Sequence, residues 1–90
     1  MPFKYGYFNI VTYQVLDERE RQFKKWGSQR HNKAFWLAIL VEEVGEAAKA
    51  LLHDKFGGSE AGNFKSEMIQ VAAVAFQILE VIIEDGKIED

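Results

Sequence analysis

The chain has no cysteine and a single proline, Pro2. The first absence excludes a disulfide framework, a thiolate metal site and a cysteine nucleophile. The second leaves every later segment free to run as an uninterrupted helix. There are no internal repeats and no low-complexity segments. No stretch of about eighteen uninterrupted apolar residues is present, so no membrane span is expected. The N-terminal MPFKYGYFNI lacks the apolar run of a signal peptide, and the expected location is cytoplasmic.

What is present is an apolar chain of one expected domain, 1–90, in which hydrophobic residues make up 48%. A chain this short buries only about 60–70% of the surface that its unfolded form exposes, so its own core is marginal. So high an apolar content implies that some of that surface is buried between subunits. Net charge is −3, which argues against a nucleic-acid partner. The basic residues Arg19, Arg21, Lys24, Lys25, Arg30 and Lys33 are concentrated in the first part of the chain, and the remainder is acidic.

Hydrophobic spacing predicts an all-α chain of three helices. The first is expected over about Thr12–Lys25, with Val11, Val15, Leu16 and Phe23 on one stripe and the DERERQ segment turned outward. Gly27 and Ser28 punctuate, and Asn32 is placed to cap the second helix, expected over Lys33–His53. On that helix Glu42, Glu46, Lys49 and His53 share a narrow stripe with Glu43 at its margin. Leu37, Leu40, Val41, Val44, Ala48, Leu51 and Leu52 fill the opposite arc. Gly45, unfavourable by about 1 kcal/mol relative to Ala in mid-helix, is expected where a neighbouring helix packs close. The segment FGGSEAGN reads as a loop, with Asn63 as the next N-cap. The third helix, over about Phe64–Glu84, stops before Gly86. It is apolar over well over half its circumference and must be covered on more than one side. A dimer that forms a four-helix core from helices two and three of each subunit meets that need.

The chemistry-bearing feature is a set of carboxylates within these apolar helices. Glu42 with Glu46, and Glu43 with Glu46, are like-charged neighbours on one helix; Glu67 and Gln70 are an i, i+3 pair on another. Packed helix axes lie about 8–10 Å apart, close enough for groups from both helices to meet one ion. Oxygen ligands without His or Cys suit Mg²⁺ or Mn²⁺. A di-iron bundle would require Glu-x-x-His, where this chain has Glu67-x-x-Gln70. The alternative is that these glutamates occupy a solvated helix face, with Glu67 stabilised by the dipole at its helix N-terminus.

The pattern Glu42-Glu43-x-x-Glu46 followed by Glu67-x-x-Gln70 resembles the EExxE…ExxD signature of MazG-like, all-α nucleoside triphosphate pyrophosphohydrolases. LDERERQFKKWGSQRH, FWLAILVEEVGEAAKALL and EMIQVAAVAFQILE extend the resemblance over most of the chain, toward small bacterial and phage MazG-like proteins. The resemblance implies a house-cleaning enzyme that hydrolyses a nucleoside triphosphate to the monophosphate and pyrophosphate. It implies Glu43, Glu46 and Glu67 as Mg²⁺ ligands, with Mn²⁺ as a substitute, and Glu42 as a further ligand or the group orienting the attacking water. Gln70 stands where the signature has Asp. It can coordinate through its carbonyl but brings no charge, which leaves weakened metal binding, a different ligand shell or lost activity open. Lys49, Arg30 and Lys33 are candidate phosphate contacts; Lys49 is alternatively an i, i+3 partner of Glu46. Trp26, Gln29 and Trp36 are candidate base contacts, with both tryptophans alternatively core anchors. The expected assembly is a homodimer or a dimer of dimers. The competing reading is a catalytically impaired dimer that binds a nucleotide or a protein without turnover.

Overall fold

The computed structural model describes residues 2–86, and they form three α-helices: α1 (Tyr5–Trp26), α2 (Lys33–Phe56) and α3 (Phe64–Asp85). There is no strand among the described residues. α3 packs against both α1 and α2, which do not pack directly on each other. Trp36 and Val81 meet with Ile39 and Ile78 around them, so α2 and α3 run antiparallel. Arg19 of α1 pairs with Glu80, late in α3, and Gln14 lies beside Ser66, early in α3, so these two run parallel.

The helix ends follow from local chemistry. Asn32 caps α2 by accepting from the Phe35 N–H at 2.8 Å, which satisfies one of the free donors of the first turn. Asn63 occupies the corresponding position before α3 but offers no side-chain cap. Its side-chain amide donates instead to Glu60 within the loop. Gly86 ends α3 in the left-handed conformation, as expected from the sequence. Gly58 is required by space as well as by its positive φ, because a Cβ there would lie 2.5 Å from the His53 ring. His53 and Asp54 fasten the α2–α3 loop: their side chains accept from the Glu60 and Gly62 N–H groups.

Three features differ from the expectations of spacing. α1 begins at Tyr5 rather than near Thr12. Residues 5–13 carry apolar side chains on every side, so no helical stripe marks them, but nothing in the segment stops a helix from propagating backward by one hydrogen bond per residue. The aromatic residues of this stretch do not pack on the rest of the chain; Tyr5 is 76% exposed, and Phe3, Tyr7 and Phe8 are also exposed.

The polar DERERQ segment is not turned outward as a whole. Glu18, Arg19 and Gln22 are half-buried, while Leu16 and Phe23 are exposed. The reason is that α3 presents its own polar side, Gln70, Gln77 and Glu80, toward α1. Arg19 forms a two-pronged pair with Glu80 at 2.8 and 2.9 Å.

The packing face of α2 is the third difference. Its buried residues are Trp36, Ala47 and Ala50, beside half-buried Ile39 and Glu43. The arc of large apolar residues, Leu37, Val41, Val44, Leu51 and Leu52, is exposed. Gly45 has nothing within 4 Å of where a Cβ would stand, so no described helix approaches it. Small residues at the seam let the two helices come close, and Ala50 and Ala73 are completely buried there.

The molecule is consequently open. Its radius of gyration is 14.8 Å, against about 12 Å for a compact chain of this length. α3 is long and apolar enough to cross a membrane, with a mean hydropathy of 1.6 over its best window. It is also the helix on which both others pack, yet only 17% of that window is buried within the chain.

Candidate active site

A cleft of about 230 Å³ opens where the three helices and the α1–α2 loop meet. α1 supplies Arg21, Gln22 and Trp26, the loop Gln29 and His31, α2 Trp36, Ile39 and Glu43, and α3 Gln70, Val74 and Gln77. Of the candidates read from the sequence, Trp26, Gln29, Trp36, Glu43 and Gln70 come together here.

Glu43 is the electrostatic centre of the site. Its place on the buried face of α2 turns it toward α3 and α1, not along the outer stripe with Glu42 and Glu46. Burial is the first cause that raises its pKa above the ordinary carboxylate range. The negative fields of Glu67, Glu42, Glu46 and Glu18 follow. Glu67, in the first turn of α3, is raised as well, first by burial and then by Glu46 and Glu60. Glutamates from all three helices thus bear on one side chain. Among the described residues, however, no three acidic or histidine side chains are gathered closely enough to hold one ion as they stand. Like-charged carboxylates on adjacent turns lower their energy by separating, and Glu42 and Glu46 are exposed and have room to do so.

Glu18 stands apart from this pattern. Its pKa is lowered, first by the hydrogen bond from Arg21, against the opposing effect of burial. Arg21 donates to both of its oxygens, at 2.9 and 2.6 Å, and the Gln22 amide donates to it at 2.9 Å. Glu18 is therefore an ionised, fully engaged carboxylate that adds negative potential at Glu43 and fixes Gln22.

The basic candidates lie elsewhere. Arg30 is ion-paired to Glu84, at 3.0 Å, and to Asp85, which ties the α1–α2 loop to the end of α3. Lys49 is exposed and makes no ion pair among the described residues, with Glu46 or otherwise. Lys33 opens α2 and is not in the cleft wall. Among the described residues, Arg21 is the one lysine or arginine that lines the cleft.

The aromatic residues divide. Trp36 is 1% exposed and anchors the α2–α3 core. Trp26 is more than half exposed, with the Lys25 ammonium 4.6 Å from its ring. His31, half-buried, lies tilted on Phe35 and edge-on to Trp36, with ring centroids 4.6 and 4.9 Å apart.

Sequence reasoning read Arg21 only as part of the basic run and did not single out Glu18, Gln22 or Gln77. The signal was available for α1: Gln14, Glu18 and Gln22 fall on the same helical stripe as Val11 and Val15. A polar run sharing the inward stripe marks a polar interface.

Comparison of the chain with family models, with curated proteins and with solved structures found no match.

Proposed function

We propose that this chain is a divalent-cation-dependent nucleoside triphosphate pyrophosphohydrolase that works as a homodimer. The observation that supports this reading most directly is Glu43. It is a half-buried glutamate inside a cleft, under the field of four further glutamates drawn from three helices. Such an arrangement is unfavourable for folding unless a cation or a proton offsets it. Perturbed carboxylates in a concave site are a mark of function.

The donor set is made of carboxylate oxygens and one amide oxygen, which fits a hard cation such as Mg²⁺ or Mn²⁺. Glu43, Glu46 and Glu67 would hold it, with the Gln70 carbonyl as a neutral fourth donor. When bound, such an ion neutralises phosphate charge and favours ionisation of a water. Glu42, the exposed neighbour of Glu43, would serve as a further ligand or would orient the attacking water and take its proton. Water attacks the α-phosphorus, the bond to the bridging oxygen breaks, and pyrophosphate leaves. Arg21 lines the cleft and would meet the phosphates on exchanging its pair with Glu18 for them, as Arg30 would on releasing Glu84 and Asp85. Lys49 and Lys33 stand outside the cleft and would serve only where a phosphate tail extends over α2. Trp26 and the cleft wall around Trp36 and Gln29 would receive the base.

The dimer is supported by surface. The chain exposes 6676 Å², about 1,300 Å² more than the roughly 5,400 Å² of a compact monomer of this mass. An obligate interface buries about 1,000–2,500 Å² per partner. The exposed apolar arc of α2 and that of α3, with Met68, Phe76, Leu79 and Ile83, supply it.

Gln70 favours a second reading, in which the dimer binds nucleotides without turnover. One experiment separates the two: pyrophosphate release from a panel of ribo- and deoxyribonucleoside triphosphates with Mg²⁺, run on the wild type and on Gln70→Asp. The enzyme reading expects release from at least one substrate by the wild type. Activity in Gln70→Asp alone identifies the binding module, and silence from both proteins overturns the hydrolase.

A further inference from the structure

The segment 27–32 that joins α1 to α2 sorts its side chains with period two, as extended backbone does. Gly27, Gln29 and His31 are half-buried, whereas Ser28, Arg30 and Asn32 are exposed. The half-buried set lines the three-helix cleft. Ser28 and Arg30 instead line a smaller hollow of about 120 Å³, bounded also by Arg19 of α1 and by Glu80 and Glu84 of α3. Gly27 and Gln29 border both spaces, so the segment is the partition between them. Its fastenings are few. At one end the Gly27 N–H donates to the Phe23 carbonyl at 2.7 Å, and at the other Asn32 caps α2. Between these ends, residues 28–31 make no backbone hydrogen bond among the described residues. The pairing of Arg30 with Glu84 and Asp85 is their one polar fastening among those residues. Neighbours on an extended chain point to opposite faces. Holding Arg30 outward on α3 therefore holds Gln29 and His31 inward on the cleft. An exposed ion pair biases an equilibrium by no more than about fivefold, so the segment is held lightly, and lightly held segments are the ones that open first.

We propose that residues 28–31 form a gate on the three-helix cleft, latched shut where Arg30 meets Glu84 and Asp85 and opened by ions that compete for that pair. In the latched state the His31 ring lies edge-on to Trp36, which is 1% exposed. When the latch lets go, Gln29 and His31 leave the cleft wall together, because both ends of the segment stay fixed and only the four residues between them turn. Opening uncovers Trp36 and joins the cleft to the smaller hollow. The cleft alone, at about 230 Å³, is below the roughly 300–1,000 Å³ of pockets that take drug-sized molecules. The gate controls access to the cleft and does not depend on what the cleft binds or whether it turns a substrate over.

His31 and Trp36 report the two halves of the motion. The His31 ring lies 4.6 Å from Phe35 and 4.9 Å from Trp36, so ring currents shift its protons while the gate is shut. Loop motions take nanoseconds to microseconds, and the observed shift is the average over shut and open states. The chain has one other histidine, His53, which is fastened in the α2–α3 loop and serves as the internal control. Spectra are taken about two pH units above the ordinary histidine pKa of about 6.5. Raising NaCl from about 20 mM to about 1 M, which cuts the reach of a charge to about 3 Å, is expected to move the His31 resonances toward those of a free histidine and to leave His53 in place. Arg30→Gln, and separately Glu84→Gln with Asp85→Asn, are each expected to show the moved position already at low salt and to respond no further. In a Trp26→Phe background, which leaves Trp36 as the only tryptophan, acrylamide quenching at low salt is expected to rise by up to about fivefold in either latch variant. His31 resonances that ignore salt in the unmutated protein, or that respond equally in Arg30→Gln, would overturn the latch. A His31 that moves while Trp36 quenching stays unchanged would overturn the gate. The salt titration needs no variant to fold, and no readout is pyrophosphate release, so a failure of the hydrolase reading leaves this result intact.

Discussion

The two long faces of α2 are built on opposite rules. The inner face meets α3 through Ala47 and Ala50, with Trp36 filling the end and Glu43 set among them. The outer face carries Leu37, Val41, Val44, Leu51 and Leu52, all exposed. The face with the greater hydrophobic content is thus the one this chain leaves uncovered. Burial of apolar surface stabilises by about 25 cal/mol per Å², so the larger share of the available driving force lies outside the monomer. The inner seam brings the helices close and holds a charged group between them. The outer arc leaves exposed the apolar area that the proposed dimer would cover.

The strongest way to break this contrast is to neutralise the inner face. Glu43→Gln is expected to lower Mg²⁺-dependent pyrophosphate release on the order of 10²–10⁴-fold, measured at saturating substrate. Retained activity would show that Glu43 is a buried charge without a catalytic part. On the outer face, the double substitution Val44→Glu and Leu51→Glu is expected to convert a dimer to a monomer in sedimentation equilibrium. A wild type that already sediments as a single copy would refute the assembly.

A smaller effect is expected from Ala50→Leu. It inserts bulk where the seam is fully closed and should cost about 1–3 kcal/mol, read as a lower denaturant midpoint. Ala48→Leu, two residues earlier and on the exposed side of α2, should cost far less.

The smallest effect sharpens the electrostatics. Glu43 and Glu67 have pKa values raised by burial first and by surrounding carboxylates second. Their contribution to stability is therefore fully present below the ordinary carboxylate pKa and is lost as pH rises through the raised folded value. Glu18 runs the other way: its pKa is lowered, chiefly by Arg21, so its contribution is present above the ordinary value and lost as pH falls through the lowered one. In metal-free buffer, Glu43→Gln should gain melting temperature over the wild type progressively as pH rises through the carboxylate range. Added Mg²⁺ should narrow that gap at neutral pH. Parallel pH profiles for the two proteins would show that Glu43 is not under strain.

Much of the fold was legible from spacing because the signals are local. Asn32 caps α2 through an oxygen three residues from its partner, and Gly86 ends α3 through its own φ angle; neither depends on the rest of the chain. Glu43, Glu46 and Glu67 stood out because charges within apolar helices are costly wherever the helices go. Gln22 did not stand out, and Arg21 did so only as part of a basic run, because a glutamine and an arginine in a charged helix have no unusual environment until another helix is laid against them. The start of α1 was missed for a related reason. A stretch apolar on every side has no periodicity to detect, although its backbone hydrogen bonds form regardless.

The sequence by itself determined that this is an all-helical chain, where α2 and α3 begin, and which helices carry carboxylates, since periodicity, capping and side-chain charge are properties of neighbours in the chain. Only the tertiary structure decided that Glu43 is half-buried while Glu42 and Glu46 are exposed, that α1 brings Arg21 and Gln22 to the same cleft with Glu18 behind them, and that α2 packs through its small residues. Those outcomes depend on the mutual rotation of helices. That rotation is set by how closely two backbones approach and which polar groups find partners across the gap, quantities that no single helix contains.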